Sequence, residues 1–395
     1  MVTIAAGRFG LERNVGILAA TMFGLALGEE LWQAYLPAYL TALGASGVAV
    51  GLFGSLRDLL DSVYQYPGGW IADRIGRRRA LLLFTGVATL GYATYALAGS
   101  WPVLCAGLFG VMAWKAGAFA TTFAIIGDSL PRDRRAIAFS VQSILVRVPR
   151  IVSAPIGGAV LAAMGLAGGI RLCFAITIAL SVVVLCVQYR GLRPDQVRQA
   201  PPLHPGGWWA ATLPIELRRL LLADCLVRIG EGLAASFIVL FLVEERHVSL
   251  AQYGALYGLQ QGVALLFYLP GGRMADRWGR PPLIALTLVF FAVFPLAVRL
   301  ATSHAAMLAA FIIGGLKELG EPARKSLIVD LAPDDRRAST VGAYYAIRNA
   351  LVVPAGLAGG VLWERSHQLP LEAAFVVGLV GALTFMASRP GFTVR

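Results

Sequence analysis

The sequence predicts an all-α integral membrane protein: twelve transmembrane helices in two pseudo-symmetric six-helix bundles, with both termini cytoplasmic. Three observations predict it. The chain of 395 residues is 57% hydrophobic and only 14% charged, outside the range of ordinary soluble domains. Its basic residues crowd into every second connection between hydrophobic runs. The second half also repeats the first at an offset of about 202 residues.

A spanning helix needs about 20 mostly apolar residues, so the chain has room for about a dozen. The apolar runs are continuous rather than alternating, which favours helices over a barrel. Runs are expected at 15–43, 47–72, 79–99, 102–128, 136–164, 169–189, 217–243, 250–274, 281–301, 304–330, 338–363 and 370–388. Arginines follow the even runs, for example Arg77, Arg78 and Arg79 after the second, Arg134 and Arg135 after the fourth and Arg336 after the tenth. The odd connections carry few or balanced charges. Even connections are therefore placed in the cytoplasm. The N-terminus from Met1 to Arg13 lacks a signal-peptide pattern, so the first span is expected to be retained.

The formal charge of +12 would suggest nucleic acid in a soluble protein, but here it is spread between spans, so no nucleic-acid partner is expected. Cys105, Cys173, Cys186 and Cys225 all fall in apolar segments without metal-ligand spacing and read as buried thiols. No metal and no cofactor are expected. An enzyme is not expected either, since no nucleophile and base motif or phosphate loop appears.

The repeat is dense. Residues 68–81 read GGWIADRIGRRRAL and residues 271–284 read GGRMADRWGRPPLI, which pairs Asp73 with Asp276, Gly76 with Gly279 and Arg77 with Arg280. Further on, IIGDSLPRDRRA pairs with LIVDLAPDDRRA, Glu29 with Glu231 and Lys115 with Lys317. The proline-rich segment 190–214 separates an N-terminal bundle, 1–189, from a C-terminal bundle, 215–395. A parallel repeat of six spans is an architecture of secondary transporters, with the solute path between the halves.

The stretch GGWIADRIGRRRAL resembles the signature loop between the second and third helices of the major facilitator superfamily, and its degenerate copy stands where that family places it. The PRDRR and PDDRR loops are similar to the acidic-to-Arg pairs after helices four and ten. The resemblance covers essentially the whole chain. It implies movement of a small-molecule substrate by alternating access, in a monomer embedded among lipids of the cell (inner) membrane. It also implies a cytoplasmic gate built from Gly69, Asp73, Arg74, Gly76, Arg77, Arg78, Asp128 and Arg135, and from Asp276, Arg280, Asp330 and Arg337. The second copy has Pro281 and Pro282 where the first has Arg78 and Arg79, so its network is expected to be weaker.

Charges in the middle of a span are costly and need a partner, a cavity or a function. On a helical wheel Glu29, Glu30 and Gln33 share an arc, as do Arg57, Asp61 and Tyr64, while Lys115, Arg147 and Arg150 mark the fourth and fifth runs. The second half offers Glu231, Tyr257, Gln260, Gln261, Lys317, Glu321, Tyr344 and Arg348. In the resemblance, helices 3, 6, 9 and 12 face lipid, and those runs hold almost no interior charge. Arg57 with Asp61 and Lys317 with Glu321 are i,i+4 pairs that either neutralise each other or serve coupling. Proton coupling is expected at one or more of Glu29, Glu30, Asp61, Glu231 and Glu321. The remaining polar residues just named are candidates for the substrate path.

APIGG at 154–158 incompletely resembles a helix-five motif of proton-coupled exporters, and its counterpart PAGLAGG at 354–360 favours simple close packing of helices. The expectation is a proton-coupled exporter working by antiport. The alternative is an uptake symporter or facilitator for an anionic metabolite bound by Lys115, Arg147 and Arg348. The named path charges nearly cancel, so their sum does not reveal the charge of the substrate.

Overall fold

The computed structural model describes residues 13–118, 132–192, 213–333 and 337–388, which are helices and short connections with no strand among them. Asp128 and the linker from 193 to 212 lie outside the described residues, as do the side chains of Asp73, Arg135, Asp276 and Arg337. Among the described residues, five helices are long and apolar enough to cross a membrane: Leu166–Gly191, Ile215–Glu244, Arg280–Leu300, Thr340–Arg365 and Leu369–Ser388. Other helices are long enough but too polar by that measure. The helix Gly47–Ile75 has 29 residues and carries Arg57, Asp58 and Asp61 near its middle.

The chain forms two compact units. The first comprises Met1–Gly44, Leu59–Pro202 and Leu250–Gly254, and the second Ala45–Asp58, Leu203–Ser249 and Ala255–Arg395. In the first unit lie α1 (Arg13–Glu29), α2 (Leu36–Ala42), most of α3 (Gly47–Ile75), α4 (Arg77–Ala96), α5 (Trp101–Met112), α6 (Arg132–Met164) and α7 (Leu166–Gly191). Its interior is aromatic. Trp32 stands edge-on to Tyr95 and Phe174, with ring centroids at 5.5 and 5.2 Å.

The second unit holds α8 (Ile215–Ala235), α9 (Phe237–Glu244), most of α10 (Leu250–Trp278), α11 (Arg280–Leu300) and α12 (His304–Leu316). It continues with α13 (Glu321–Asp330), α14 (Arg337–Val352), α15 (Pro354–Arg365) and α16 (Leu369–Ser388). Leu217, Leu220, Ile284, Leu288, Leu327 and Phe385 belong to its buried apolar core. Burying such side chains contributes about 1.5–3 kcal/mol each relative to leaving them exposed to water.

The repeated stretch becomes a one-residue turn in both copies. Gly76 alone joins α3 to α4 at φ 87°, and Gly279 alone joins α10 to α11 at φ 82°. Only glycine adopts that region without a Cβ penalty, which explains its presence at the same register in each. Gly69 lies inside α3 and takes no part in the turn.

Several hydrophobic runs expected as single helices are interrupted. The first breaks after Glu29 into a turn, a 3₁₀ segment at Gln33–Tyr35 and then α2. The fourth passes into a π-helical turn at Ala113–Ala118, the tenth breaks between Leu316 and Glu321, and the seventh bends at Ser236. Non-helical backbone at membrane depth needs substitute partners for its polar groups. At the first break Thr177 Oγ1 donates to the Gly28 carbonyl at 2.8 Å, and at the tenth the Gly320 amide donates to Thr287 Oγ1 at 2.7 Å.

The two glycine motifs pack alike. A Cβ on Gly157 would stand 1.9 Å from the Leu31 carbonyl oxygen, and one on Gly359 would stand 2.3 Å from that of Leu233. Their neighbours meet the first residue of another helix: Gly158 approaches the Leu250 carbonyl in the first unit, and Gly360 that of Gly47 in the second. Close helix packing accounts for both motifs. These contacts also explain why the starts of α3 and α10 each cluster with the unit formed mainly by the opposite sequence half.

Of the four thiols, Cys173 and Cys225 are buried, Cys105 is half-buried, and Cys186 is exposed, contrary to the uniform burial expected from its apolar run.

Candidate functional site

Two charged clusters lie at the helix interruptions, one in each unit. In the first, Glu29 ends α1 and the chain turns at once, so Glu29, Glu30 and Gln33 leave the backbone in directions that a continuous helix would not provide. Trp32 secures the turn by donating from Nε1 to Thr177 Oγ1 at 3.0 Å. Glu29 and Glu30 are both buried, at 4% and 3% exposure.

Their partners come from other helices. Tyr92 on α4 donates to Glu29 Oε1 at 2.6 Å, while Lys115 Nζ stands 3.7 Å from Glu29 Oε2. Lys115 itself donates to Gln33 Oε1. It projects from the π-helical turn, a distortion frequently found at functional sites. Arg150 on α6 donates from Nε to Glu30 Oε1 at 2.9 Å. Glu30 Oε2 is buried and accepts no hydrogen bond from the described residues. A buried carboxylate oxygen left without a donor is a costly arrangement, which a proton or a donor group would relieve.

The second cluster is more tightly knit. Asp224, Arg228 and Glu231 stand one turn apart on α8. Arg228 donates to Glu231 Oε2 and Glu321 Oε1, each at 2.7 Å. Lys317 donates to Glu231 Oε1 at 2.7 Å. Arg324 is 1% exposed, and it holds Glu321 Oε2 at 2.7 Å and Asp224 Oδ2 through its other nitrogen. Tyr344 on α14 donates to the same Asp224 oxygen at 2.9 Å. Arg228 and Lys317 both lie against the Phe291 ring, at 4.6 and 4.9 Å from its centroid.

The i,i+4 pair expected between Lys317 and Glu321 is replaced by these cross-helix pairs. The helical spacing it relied on is absent, because Lys317 to Gly320 lie in the break between α12 and α13. Arg57 contacts the adjacent Asp58 at 3.4 Å, and both are more than 30% exposed. Asp61 and Arg147 are half-buried and each makes a polar or electrostatic contact. Tyr64, Tyr257 and Gln261 are half-buried, and Gln260 is buried with its amide donating to the Gly314 carbonyl at 3.3 Å.

Among the gate residues, Arg280 donates to Asp330, joining the second signature turn to the end of α13. In the first copy Arg78 donates to the Tyr189 carbonyl and stacks over that ring at 5.3 Å, and Arg74 stacks over Trp70 at 4.9 Å. Arg77 is also engaged.

Sequence reasoning missed Tyr92 and Thr177, which sit in runs assigned to lipid. A signal was present in the register of Thr85, Thr89 and Tyr92, which places three polar groups on one face of α4.

The chain matches the family model described as the Major Facilitator Superfamily over residues 17–218 and 220–391. It is 22% identical over 392 residues to an uncharacterised MFS-type transporter of Methanocaldococcus jannaschii, covering 95% of each chain. A shorter similarity, 27% over 135 residues, reaches the quinolone resistance protein NorA of Staphylococcus aureus and covers 34% of this chain and 33% of that one. Among solved structures, a bacterial homologue of the human lysosomal transporter Spinster superposes with a TM-score of 0.75 at 17% identity, covering 95% of this chain and 96% of that one. A POT family transporter superposes with a TM-score of 0.78 at 16% identity, covering 98% of both.

Proposed function

From the premise that the chain belongs to the Major Facilitator Superfamily, and so is a multi-pass membrane transporter rather than an enzyme, we propose that it is a proton-coupled exporter of a small organic solute. In this reading twelve spans form two bundles, 1–189 and 215–395, joined by the cytoplasmic segment 190–214. Both termini face the cytoplasm of a cell whose inner membrane holds the protein as a monomer.

The observation that carries proton coupling is Glu30. It is buried, paired to Arg150 through one oxygen, and has no hydrogen-bond partner on the other among the described residues. Protonation relieves the unsatisfied oxygen and weakens the hold on Arg150, so proton uptake and a change of ion pairing are one event. Glu29 stands beside it, and Lys115 is divided between Glu29 and Gln33. Glu231 and Glu321 are each held by two cations, which suits a fixed role better than an exchanging one.

Export is supported by the similarity to NorA, a quinolone resistance protein. Solute would cross by alternating access between the bundles, with Gly76, Asp73, Arg77 and their counterparts acting at the cytoplasmic gate.

The test uses purified protein in liposomes with an imposed pH gradient and a broad panel of solutes. Solute flux should follow the gradient, and Glu30→Gln should reduce gradient-driven flux at least about tenfold, equivalent to ~1.4 kcal/mol, while leaving thermal stability nearly intact. Gradient-driven flux that survives Glu30→Gln removes this residue from the mechanism. A wild-type protein that moves no solute with the gradient removes coupling altogether.

A further inference from the structure

The charges of the second cluster do not balance once their pairing is known. Among the described side chains that pair directly there, Asp224, Glu231 and Glu321 face Arg228, Lys317, Arg324 and Arg348, leaving one cation in excess, while Lys325, which also acts on Glu321, is exposed.

The surplus falls on Arg348. Glu231 is taken by Lys317 and Arg228, and Glu321 by Arg228 and Arg324, all at 2.7 Å. Asp224 Oδ2 already accepts from Arg324 and from Tyr344, and Arg348 Nη1 stands 3.7 Å from that same oxygen, beyond hydrogen-bond reach. The remaining nitrogens of Arg348 lean on the neutral Asn349 Oδ1 at 2.9 and 3.2 Å. Its guanidinium lies 4.7 Å from the Tyr345 ring centroid, and its side chain is 17% exposed. Arg228 and Arg324 are locked by carboxylates on several sides. Arg348 is the least committed cation of the cluster.

We propose that Arg348 is the binding group for a single carboxylate on the transported solute, and that the solute is a monoanionic organic acid whose apolar part meets Tyr345. A guanidinium held in place by stacking presents paired N–H groups that match a carboxylate. One bound monoanion would neutralise the cluster, whereas a cationic solute would enlarge its surplus and a dianion would overshoot it. A carboxylate displacing the Asn349 contact would also replace a neutral acceptor with a charged one, the stronger kind of hydrogen bond.

The inference rests on the reading that this cluster borders the solute path, but its test needs no transport. Purified protein in detergent would be heated with benzoate, with the neutral benzamide and with the cationic benzamidine, three probes of one shape and different charge. Benzoate alone should raise Tm, by about 2 °C when present at tenfold excess over its Kd, because a ligand of the folded state stabilises it. Arg348→Gln should abolish that shift, and Arg348→Lys, which keeps the charge but loses the fork, should keep part of it. If Arg348→Gln fails to fold, the Lys variant decides: an unreduced benzoate shift there overturns the fork as the binding element. Equal shifts from all three probes, no shift with benzoate, or a benzoate shift that persists in Arg348→Gln each overturn the proposal. Absence of gradient-driven flux in liposomes would instead count against the transport reading while leaving the benzoate result standing.

Discussion

The pairs Glu29 with Lys115 and Glu231 with Lys317 occupy the same register in the two sequence halves, yet they are bonded differently. In the second half the lysine meets its glutamate directly at 2.7 Å. In the first the separation is 3.7 Å, and the lysine turns to Gln33 while the glutamate takes Tyr92. The third partner makes the difference. Arg228 adds a second cation beside Glu231, at 2.7 Å, whereas the neutral Tyr92 satisfies Glu29 without adding charge. Duplication kept the residues, and divergence of their neighbours turned one copy into a closed lattice of ions and left the other loosely held. A loosely held acid exchanges partners at lower cost, which supports our proposal that the first half takes up the proton.

The comparison breaks most readily at Arg324. It is buried between Asp224 and Glu321, so Arg324→Gln leaves two buried carboxylates under-compensated and should cost about 3–5 kcal/mol of stability. Thermal or denaturant unfolding in detergent would show it, and a loss below about 1 kcal/mol would mean that the second cluster is not a scaffold. Next in size is the gate. Asp73→Asn should lower transport about tenfold more than Asp276→Asn at equal expression, a difference of ~1.4 kcal/mol, because the second signature copy has Pro281 and Pro282 in place of Arg78 and Arg79. The reverse order would make the second turn, with its Arg280 to Asp330 pair, the dominant latch. In stability rather than flux, Tyr92→Phe should cost less than Arg324→Gln, because it removes only one hydrogen bond to a charged group, about 1.5–3 kcal/mol at most. Its informative readout is the pH dependence of flux: a profile that moves places Glu29 in the proton path, and one that stays restricts Tyr92 to packing.

Much of the fold was legible because its signals are local. The helices Arg280–Leu300 and Leu369–Ser388 begin and end within two residues of the expected runs 281–301 and 370–388, since apolar length and flanking charge are read along one segment. The one-residue turns at Gly76 and Gly279 were announced by a glycine at the same register in both copies. The breaks at Glu30, Lys115 and Lys317 were less visible. Each falls inside a continuous apolar run, and at the first and tenth the freed backbone groups find a threonine hydroxyl on another helix.

The sequence by itself determined an all-helical membrane chain, its duplication, its signature turns and the roster of charged residues within the spans. Composition and register suffice for these, because hydration cost and helix periodicity act residue by residue along the chain. Only the tertiary structure decided which charges neutralise which. Glu30 meets Arg150 across 120 positions and Asp224 meets Arg324 across 100, so their distances depend on how helices pack rather than on spacing. A sum of charges sees near balance. Coulomb attraction falls with separation and strengthens where water is excluded, so the pairing leaves one carboxylate oxygen in the first unit and one guanidinium in the second with the least compensation.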